Sequence, residues 1–315
     1  MSGIDKLEIT VLRDSDYNTV IGSPLDGILE NARRNGLQHR PCYLPNENKP
    51  AMQFIDSSGH IKGCFVGYNY YSRMITRIIL TPTRFNTFST MMDLLRRTGL
   101  SDITGSYVNR IDFAADYSVP FSTLIRGLDI AARSNTRVHF DQSVGLPRTI
   151  YFGAGQDMIL AYDKEFQQRN QNPPSAPGVQ TRIERQVRTR RLIHGILGRD
   201  IYLQDLPDML HGLCTSGPNL FEAVTLNSIA LQANDNYSER QRARQNQMEG
   251  MMQISSYANM RRYINTTGNG NFIRDWKPLL TITPLPDAHQ PDAVFKAGLR
   301  RYLGLSTRRR PPLIL

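Results

Sequence analysis

The sequence predicts an α+β fold: a mainly antiparallel sheet with helices packed on one face, followed by a helical C-terminal segment. Through the first two-thirds of the chain, short stretches rich in β-branched residues alternate with stretches of helical apolar spacing. Several strand-like stretches follow one another across short turns, which is typical of antiparallel hairpins. Beyond about residue 195 the apolar positions have mainly helical spacing, so the helical segment is predicted there.

The elements of the first part follow in chain order. Strands are predicted at residues 7–12, 51–56, 61–68, 72–82, 106–116, 136–140, 148–153 and 157–164, and another begins at residue 181. Helices are predicted at residues 24–34, 83–100 and 119–134, and the proline-rich stretch 170–180 is predicted as a loop. Ser57, Ser58 and Gly59 form the predicted turn of the first hairpin, and Gly99 ends the second helix.

The C-terminal part has a different texture. Helices are predicted at residues 219–233, 238–264 and 292–305, with a glycine-containing break at 265–271 and a basic tail at 306–315. The sequence therefore predicts two domains, an α+β module of residues 1–195 and a helical region of residues 196–315.

Composition favours a polyanionic partner. The 315 residues include 38 Lys and Arg against 28 Asp and Glu, which gives a formal net charge of +10. Such an excess favours nucleic acid first and an anionic membrane surface second. Because no apolar run approaches the roughly 20 residues of a bilayer span, no membrane association is expected.

Cysteine usage predicts a reducing compartment. Cys42, Cys64 and Cys214 lie far apart and form no C-x-x-C pair, which argues against a disulfide framework and against a zinc site. With no export signal at the N-terminus, the sequence predicts a cytoplasmic location.

The stretch RIDFAAD (110–116) is the first with potential chemistry. In a strand, residues two apart share a face, so Arg110, Asp112 and Asp116 point one way while Ile111 and Phe113 point towards a core. Two carboxylates on one strand face need a positive partner. The sequence leaves open whether that partner is a divalent metal ion or an arginine.

The stretch TRIERQVRTRR (181–191) carries one acid among arginines. Glu184 shares its predicted strand face with Arg182, Gln186 and Arg188. Glu184 is therefore either an ion-pair partner of the arginines or a metal ligand surrounded by phosphate-binding groups, and spacing does not choose between them.

The stretch YFGAGQDMILAYDK (151–164) ends in a tyrosine followed by an acid and a lysine. Leu160, Tyr162 and Lys164 share one face of the predicted strand. Tyr162 is either a buried aromatic residue of a hairpin or a nucleophile, with Lys164 stabilising its phenolate or a phosphate. Since a phenol has a pKa near 10, a nucleophilic tyrosine needs help from a base or a metal ion.

The four motifs R-x-D-x-x-x-D, Y-x-G, Y-D-K and R-x-E follow one another in this order. They are carried by RIDFAAD, TIYFGAGQ, AYDKE and RIERQVR. This order resembles the replication initiation factor family, the Rep proteins of pT181-type rolling-circle plasmids, with relatives in filamentous phages and conjugative transposons. The resemblance covers about residues 50–190.

The resemblance implies a site-specific DNA nickase and ligase at a replication origin, with residues 1–195 as its catalytic domain. Tyr162 would attack a phosphodiester and remain attached to the 5′ phosphate, while the free 3′-OH primes synthesis. Asp112, Asp116 and Glu184 would hold Mg²⁺ or Mn²⁺, which prefer oxygen ligands. His139 is a further candidate ligand, because it lies in the strand between the acidic strand and the tyrosine hairpin.

The sequence departs from the family at two positions. Leu160 stands where many members have an arginine, and Gly155 stands where they often have a basic residue. Phosphate binding is therefore expected from Arg148, Lys164 or Arg182. Tyr151, which ends the adjacent strand, is the minor candidate for the nucleophile.

Arginines close to these motifs are the predicted DNA contacts: Arg110, Arg148, Arg182, Arg185, Arg188, Arg190 and Arg191. A second basic group, Arg240–Arg244 with Arg261 and Arg262, is either a duplex-binding surface or a solvated helix face. The expected partners are origin DNA in a hairpin or single-stranded form, a second copy in a homodimer, and the host replication machinery. A host helicase is expected because the chain contains no P-loop.

Two other functions stay open at this point. One is a DNA-binding protein without catalysis on the same scaffold, which the leucine at position 160 favours. The other is a terminal protein whose hydroxyl group primes replication of a linear genome, which explains the basic charge but does not require the ordered motifs.

Overall fold

The computed structural model describes residues 3–13, 24–44, 47–55, 61–85, 87–130, 136–140, 147–153, 155–169, 177–254, 256–268 and 270–305. It confirms the predicted class, since the fold is α+β with a large antiparallel sheet and helices that include one near the C-terminus. The predicted turn at Ser57–Gly59, most of the loop at 170–180 and the basic tail lie outside the described residues.

Strands and helices are numbered here in chain order. The strands are β1 (Gly3–Val11), β2 (Gln38–Tyr43), β3 (Pro50–Ile55), β4 (Ile61–Tyr68), β5 (Ile75–Leu80), β6 (Ser106–Tyr117), β7 (Leu128–Ile130), β8 (Thr136–Phe140), β9 (Pro147–Phe152), β10 (Asp157–Asp163), β11 (Thr181–Arg188), β12 (Val224–Leu231) and β13 (Leu280–Pro284). The helices are α1 (Pro24–Arg34), α2 (Phe88–Thr98), α3 (Phe121–Arg126), α4 (Lys164–Gln168), α5 (Arg190–Leu197), α6 (Leu206–Thr215), α7 (Glu239–Ile254), α8 (Tyr257–Thr266) and α9 (Pro291–Tyr302), with a π-helical turn at Phe272–Trp276.

The chain forms two compact units, each built from separate segments. The first takes the described residues up to Ala114, Gln186–Pro218 and those from Lys296 onward. The second takes Ala115–Arg185 and Asn219–Phe295. The predicted domain boundary at residue 195 falls within α5, and it stays a prediction.

In the first unit, six strands follow the order β2-β3-β4-β5-β1-β6, and all neighbouring pairs are antiparallel. Leu7 and Ile9 of β1 are completely buried, as expected for a strand with an alternating pattern. Helix α2 begins after Thr87, whose hydroxyl accepts the N–H of Thr90, and ends at Gly99 in the left-handed conformation. The sequence had placed the end of this helix correctly.

In the second unit, the end of β6 is followed by β11, β10, β9 and β8, and a separate sheet has the order β13-β12-β7. The backbone N–H of Gln180, just before β11, donates to the carbonyl of Tyr117 at the end of β6. Strands β9 and β10 pair antiparallel, with Tyr162 opposite Thr149 and Leu160 opposite Tyr151. This register confirms the predicted meander and positions the candidate site.

Two helix predictions were wrong. The helix predicted at 119–134 ends at Arg126, and β7 follows, because the chain passes very close to β12 at Gly127: a Cβ there would lie 1.8 Å from the carbonyl oxygen of Asn227. The helix predicted at 219–233 is instead strand β12, in which buried Val224 and Leu226 flank an exposed residue. A two-residue period had been mistaken for helical spacing.

The helix predicted at 238–264 is divided in two. Ser256 begins α8 because its hydroxyl accepts the N–H of Asn259, so α7 and α8 are separate helices.

Within the described residues, no helix combines the length and apolar character that crossing a bilayer requires.

Candidate functional site

Tyr162 lies on β10 as the sequence predicted, on the face shared with Met158 and Leu160. These three side chains form a small buried cluster, against which Tyr151 of β9 packs. Tyr162 is 8% exposed, so its ring is held by its neighbours. The cluster fixes the direction in which the phenol points.

The hydroxyl of Tyr162 donates a hydrogen bond of 3.0 Å to Oε2 of Glu184. Glu184 is carried by β11, the strand next to β10, and is 4% exposed. A buried carboxylate is costly unless its oxygens find donors, and the phenol is one such donor. The arrangement also places a proton acceptor directly on the tyrosine hydroxyl.

Lys164 adds positive charge beside this pair. Its ammonium nitrogen lies 5.6 Å from the centre of the Tyr162 ring and donates to Oε1 of Gln167 at 2.7 Å. Lys164 is the first residue of α4, which begins where the side chain of Asp163 accepts the N–H of Phe166. The helix start therefore holds the lysine, which is 5% exposed, next to the tyrosine.

Arg182 stands two residues before Glu184 on the same face of β11 and is completely buried. Its guanidinium forms two hydrogen bonds with the carboxylate of Asp116, at 2.6 and 3.1 Å. Burial alone would raise the pKa of Asp116, but the opposing positive charges, of which Arg182 contributes most, together hold this pKa at about 2. The acid on β6 thus has an arginine as its partner, one of the two alternatives that the sequence left open.

In the first unit, Asp112 is also paired with an arginine. Its two carboxylate oxygens accept from Arg110 at 2.8 and 2.7 Å, and Arg110 lies 3.3 Å from Glu8. Burial raises the pKa of Asp112, with a smaller contribution from nearby Asp5, although the contact with Arg110 opposes both.

The predicted metal ligands do not fit a metal centre as they stand. Asp112 and Asp116 are each bonded to a guanidinium, and Glu184 accepts a hydrogen bond from the Tyr162 hydroxyl. Among the described residues, no group of three or more His, Cys, Asp or Glu side chains is arranged to hold a metal ion. A metal ion would have to displace these donors before it could bind the three carboxylates.

His139 and Tyr151 lie on strands close to the tyrosine. His139 is exposed on β8 and pairs with Thr149 of β9, the residue that also pairs with Tyr162. Tyr151 is partly exposed, and the guanidinium of Arg137 lies 5.6 Å from its ring centre. Because Tyr151 pairs with Leu160 of β10, it shares the sheet face of Tyr162.

Most of the predicted DNA-binding arginines have carboxylate partners. Five form ion pairs: Arg110 with Asp112, Arg148 with Asp163, Arg182 with Asp116, Arg185 with Asp157 and Arg190 with Asp200. Arg188 is exposed and bonded to Gln186 at 2.6 Å, and Arg191 is exposed. A contact between Arg182 and DNA is not compatible with its complete burial.

Arg148 lies on the opposite face of β9 from Tyr151. Its guanidinium bonds to Asp163 at 2.6 Å and stacks 4.2 Å from the centre of the Phe166 ring. Of the three residues expected to bind phosphate, Arg148 is on the other face, Arg182 is completely buried against Asp116, and Lys164 lies beside the ring of Tyr162.

The second basic group, in the C-terminal part, is also partly engaged. Arg244 stacks 5.5 Å from the centre of the Trp276 ring, and Arg261 is paired with Asp129. Arg240 and Arg262 are exposed. Some of these arginines pack against other side chains and others are exposed, so the group favours neither a duplex-binding surface nor a solvated helix face.

Sequence reasoning missed what Glu184 contacts. It treated this residue as a metal ligand or as the partner of arginines, and it did not pair Asp116 with Arg182. The partners are 22 and 66 residues apart in the chain. Only the order of strands in the sheet brings them together, and no local pattern signals that order.

The comparison with protein-family models finds no match, and the search of curated proteins finds no similar sequence. The resemblance to the replication initiation factor family therefore stays a prediction, which rests on the four short motifs and their order.

Proposed function

We propose that this protein initiates rolling-circle replication, or is a closely related relaxase, and nicks and rejoins single-stranded DNA at a specific site of an origin. The observation that carries this proposal is the hydrogen bond of 3.0 Å between the Tyr162 hydroxyl and Glu184, with Lys164 beside the ring. A nucleophilic tyrosine needs a base or a metal ion to activate it, and here Glu184 would be the base while Lys164 adds a positive charge beside it.

In the nicking step, the Tyr162 oxygen attacks phosphorus, and its proton passes to Oε2 of Glu184. A bond forms between Tyr162 and the 5′ phosphate, and the bond between phosphorus and the 3′ oxygen breaks. Glu184 then returns the proton to the leaving 3′ oxygen, directly or through water. By microscopic reversibility, the same groups acting in reverse rejoin the strand.

Lys164 would stabilise the negative charge that develops during this step. Its ammonium lies close enough to the phenol to favour the phenolate, and it is the remaining cation among the three expected to bind the phosphate. The resemblance also implies Mg²⁺ or Mn²⁺, but the carboxylates that would bind them already have donors, so the proton route is assigned to Glu184.

Partners follow from the proposed reaction. A nickase of this kind acts on origin DNA exposed as a hairpin or single strand and is expected to work as a homodimer. It also needs a host helicase and the host replication machinery, because the chain has no P-loop of its own. The net charge of +10 favours such a polyanionic partner.

A DNA-binding protein without catalysis is the second candidate. Two observations favour it: Leu160 replaces the arginine found in many family members, and Tyr162 is only 8% exposed. On this reading the bond between Tyr162 and Glu184 serves only to stabilise the sheet.

A cleavage assay separates the two candidates. Wild type, Tyr162→Phe and Tyr151→Phe are incubated with overlapping single strands that cover the replicon's own origin, with Mn²⁺ or with EDTA. The proposal predicts a covalent protein–DNA adduct for wild type and Tyr151→Phe and none for Tyr162→Phe. An adduct that survives Tyr162→Phe moves the nucleophile elsewhere, and binding without any adduct favours the second candidate.

A further inference from the structure

Three tyrosines in the described part of the first unit are exposed to solvent. Tyr71 is 93% exposed and Tyr70 is 73% exposed, both in the turn between β4 and β5, and Tyr43 at the end of β2 is 66% exposed. Large aromatic side chains contribute most of their stabilisation when they are buried, so this exposure contributes nothing to folding.

The strand register places these tyrosines at the same end of the sheet. Tyr43 pairs with Pro50 at the start of β3, and Tyr68 at the end of β4 pairs with Ile75. Leu12, which is 43% exposed, follows the end of β1. Half of the eight exposed large apolar side chains of the described chain are therefore at this end of the first unit's sheet.

The turn that carries Tyr70 and Tyr71 has a defined conformation. The side-chain oxygen of Asn69 accepts the backbone N–H of Tyr71 and of Ser72, at 3.0 and 3.2 Å. Arg73 adopts a φ of 53°, which is uncommon for a residue with a side chain, and its guanidinium bonds to Asp26 at 2.6 Å. The exposed rings are thus presented by a constrained turn.

Ring orientation leaves aromatic faces open. The rings of Tyr70 and Tyr71 meet edge to face, with centres 5.5 Å apart and planes at 89°. Since the two rings are not stacked on each other, a flat group can stack on the exposed Tyr71. Exposed cations lie at the same end, namely Arg13 just after β1, and Lys49, which is paired with Glu47.

We propose that this end of the sheet, formed by Tyr43, Tyr70 and Tyr71, is a stacking site for the unpaired bases of single-stranded nucleic acid. Every base has a flat face that stacks on an aromatic ring, and a net charge of +10 draws a polyanion to the chain. The inference rests on the proposed function only in that both take DNA as the partner. Stacking needs none of the groups around Tyr162.

The test is the binding of a fluorescein-labelled single-stranded oligonucleotide of mixed sequence and of the same sequence as a duplex. The variants are Tyr71→Ala, Tyr70→Ala with Tyr71→Ala, and Tyr71→Phe, which keeps a ring. Tyr263→Ala is the control, because Tyr263 is a 48% exposed tyrosine of the second unit. All four changes are at exposed side chains, so folding should be retained and is checked by circular dichroism.

The expected result is that Tyr71→Ala raises the Kd for the single strand by at least about fivefold, and the double variant by up to about a hundredfold. Binding of the duplex should change by less than about twofold, and Tyr71→Phe and Tyr263→Ala should bind as wild type. Equal losses for single strand and duplex would overturn stacking, and so would unchanged single-strand binding by the double variant.

Adduct formation by the same proteins separates this inference from the proposed function. If wild type nicks DNA and the double variant binds single strands as tightly as wild type, only the inference is overturned. If wild type does not nick DNA and the double variant loses single-strand binding, only the proposed function is overturned.

Discussion

Arg182 and Glu184 stand two residues apart on the same face of β11, and the two side chains have different kinds of partner. Arg182 is completely buried and joined to Asp116 by two hydrogen bonds. Glu184 is nearly as buried, but it accepts a hydrogen bond of 3.0 Å from the Tyr162 hydroxyl. An arginine keeps its proton at all physiological pH values, whereas a phenol can give its proton up.

The comparison shows that carboxylates close together in one sheet can have two roles, one in stabilising the fold and one in proton transfer. A carboxylate joined to a buried guanidinium neutralises it and holds strands together. A carboxylate joined to a hydroxyl can take part in proton transfer. Changing one partner at a time should therefore have different effects on stability and on chemistry.

Replacing Asp116 with asparagine should lower the free energy of unfolding by about 3–5 kcal/mol, because it removes the carboxylate that accepts two hydrogen bonds from the buried guanidinium of Arg182. Urea denaturation of wild type and variant measures this loss. As a control, Asp116→Leu combined with Arg182→Met removes both charges and should remain within about 1 kcal/mol of wild type. A loss below about 1 kcal/mol for Asp116→Asn would mean that the pair is not structural.

The stability that Asp116 contributes should depend on pH. Its pKa is about 2 in the folded protein against an ordinary value of 3.8, so its charged form is favoured by folding. This contribution, about 2 kcal/mol, is complete above about pH 5 and is lost as the pH falls through about 2. The difference in unfolding free energy between wild type and Asp116→Asn should therefore shrink over that range, and a constant difference would contradict the assignment.

Replacing Asp112 with asparagine should lower the free energy of unfolding by a smaller amount, about 1–2 kcal/mol. Burial raises the pKa of Asp112, so its charged form is less favoured than that of Asp116, and Arg110 keeps a second carboxylate at Glu8. The same urea titration measures it. A loss equal to that of Asp116→Asn would erase the distinction between the two arginine–aspartate pairs.

Tyr162→Phe should have the smallest effect on stability, about 1 kcal/mol, since the hydrogen bond to Glu184 is lost while the ring still packs against Met158 and Leu160. Adduct formation should be abolished in this variant. Thermal unfolding followed by circular dichroism gives the first quantity. A large loss of stability would show that the hydroxyl is needed for folding and would weaken its assignment as a nucleophile.

Much of the fold follows from local sequence patterns. The bounds of α1, the stop of α2 at Gly99 and the strand character of β6, β10 and β11 were predicted, because alternation and capping are local properties. The end of α3 and strand β12 were not, because the close approach at Gly127 depends on a segment about a hundred residues away.

The candidate site was predicted in part for the same reason. Strand alternation placed Leu160, Tyr162 and Lys164 on one face and Arg182 and Glu184 on another shared face. The partners were not predictable, because the bonds from Tyr162 to Glu184 and from Arg182 to Asp116 join different strands. Spacing alone left metal binding and ion pairing open for Asp112 and Asp116, and in the structure each has an arginine.

The most direct test of the central claim is the single-turnover rate of adduct formation by Glu184→Gln, measured with the origin strand that wild type cleaves. Glutamine keeps the size of the side chain but cannot take up the phenol proton. The account predicts a rate lower by at least about a hundredfold, with origin binding and thermal stability close to those of wild type. A Glu184→Gln protein that forms the adduct at the wild-type rate would contradict it.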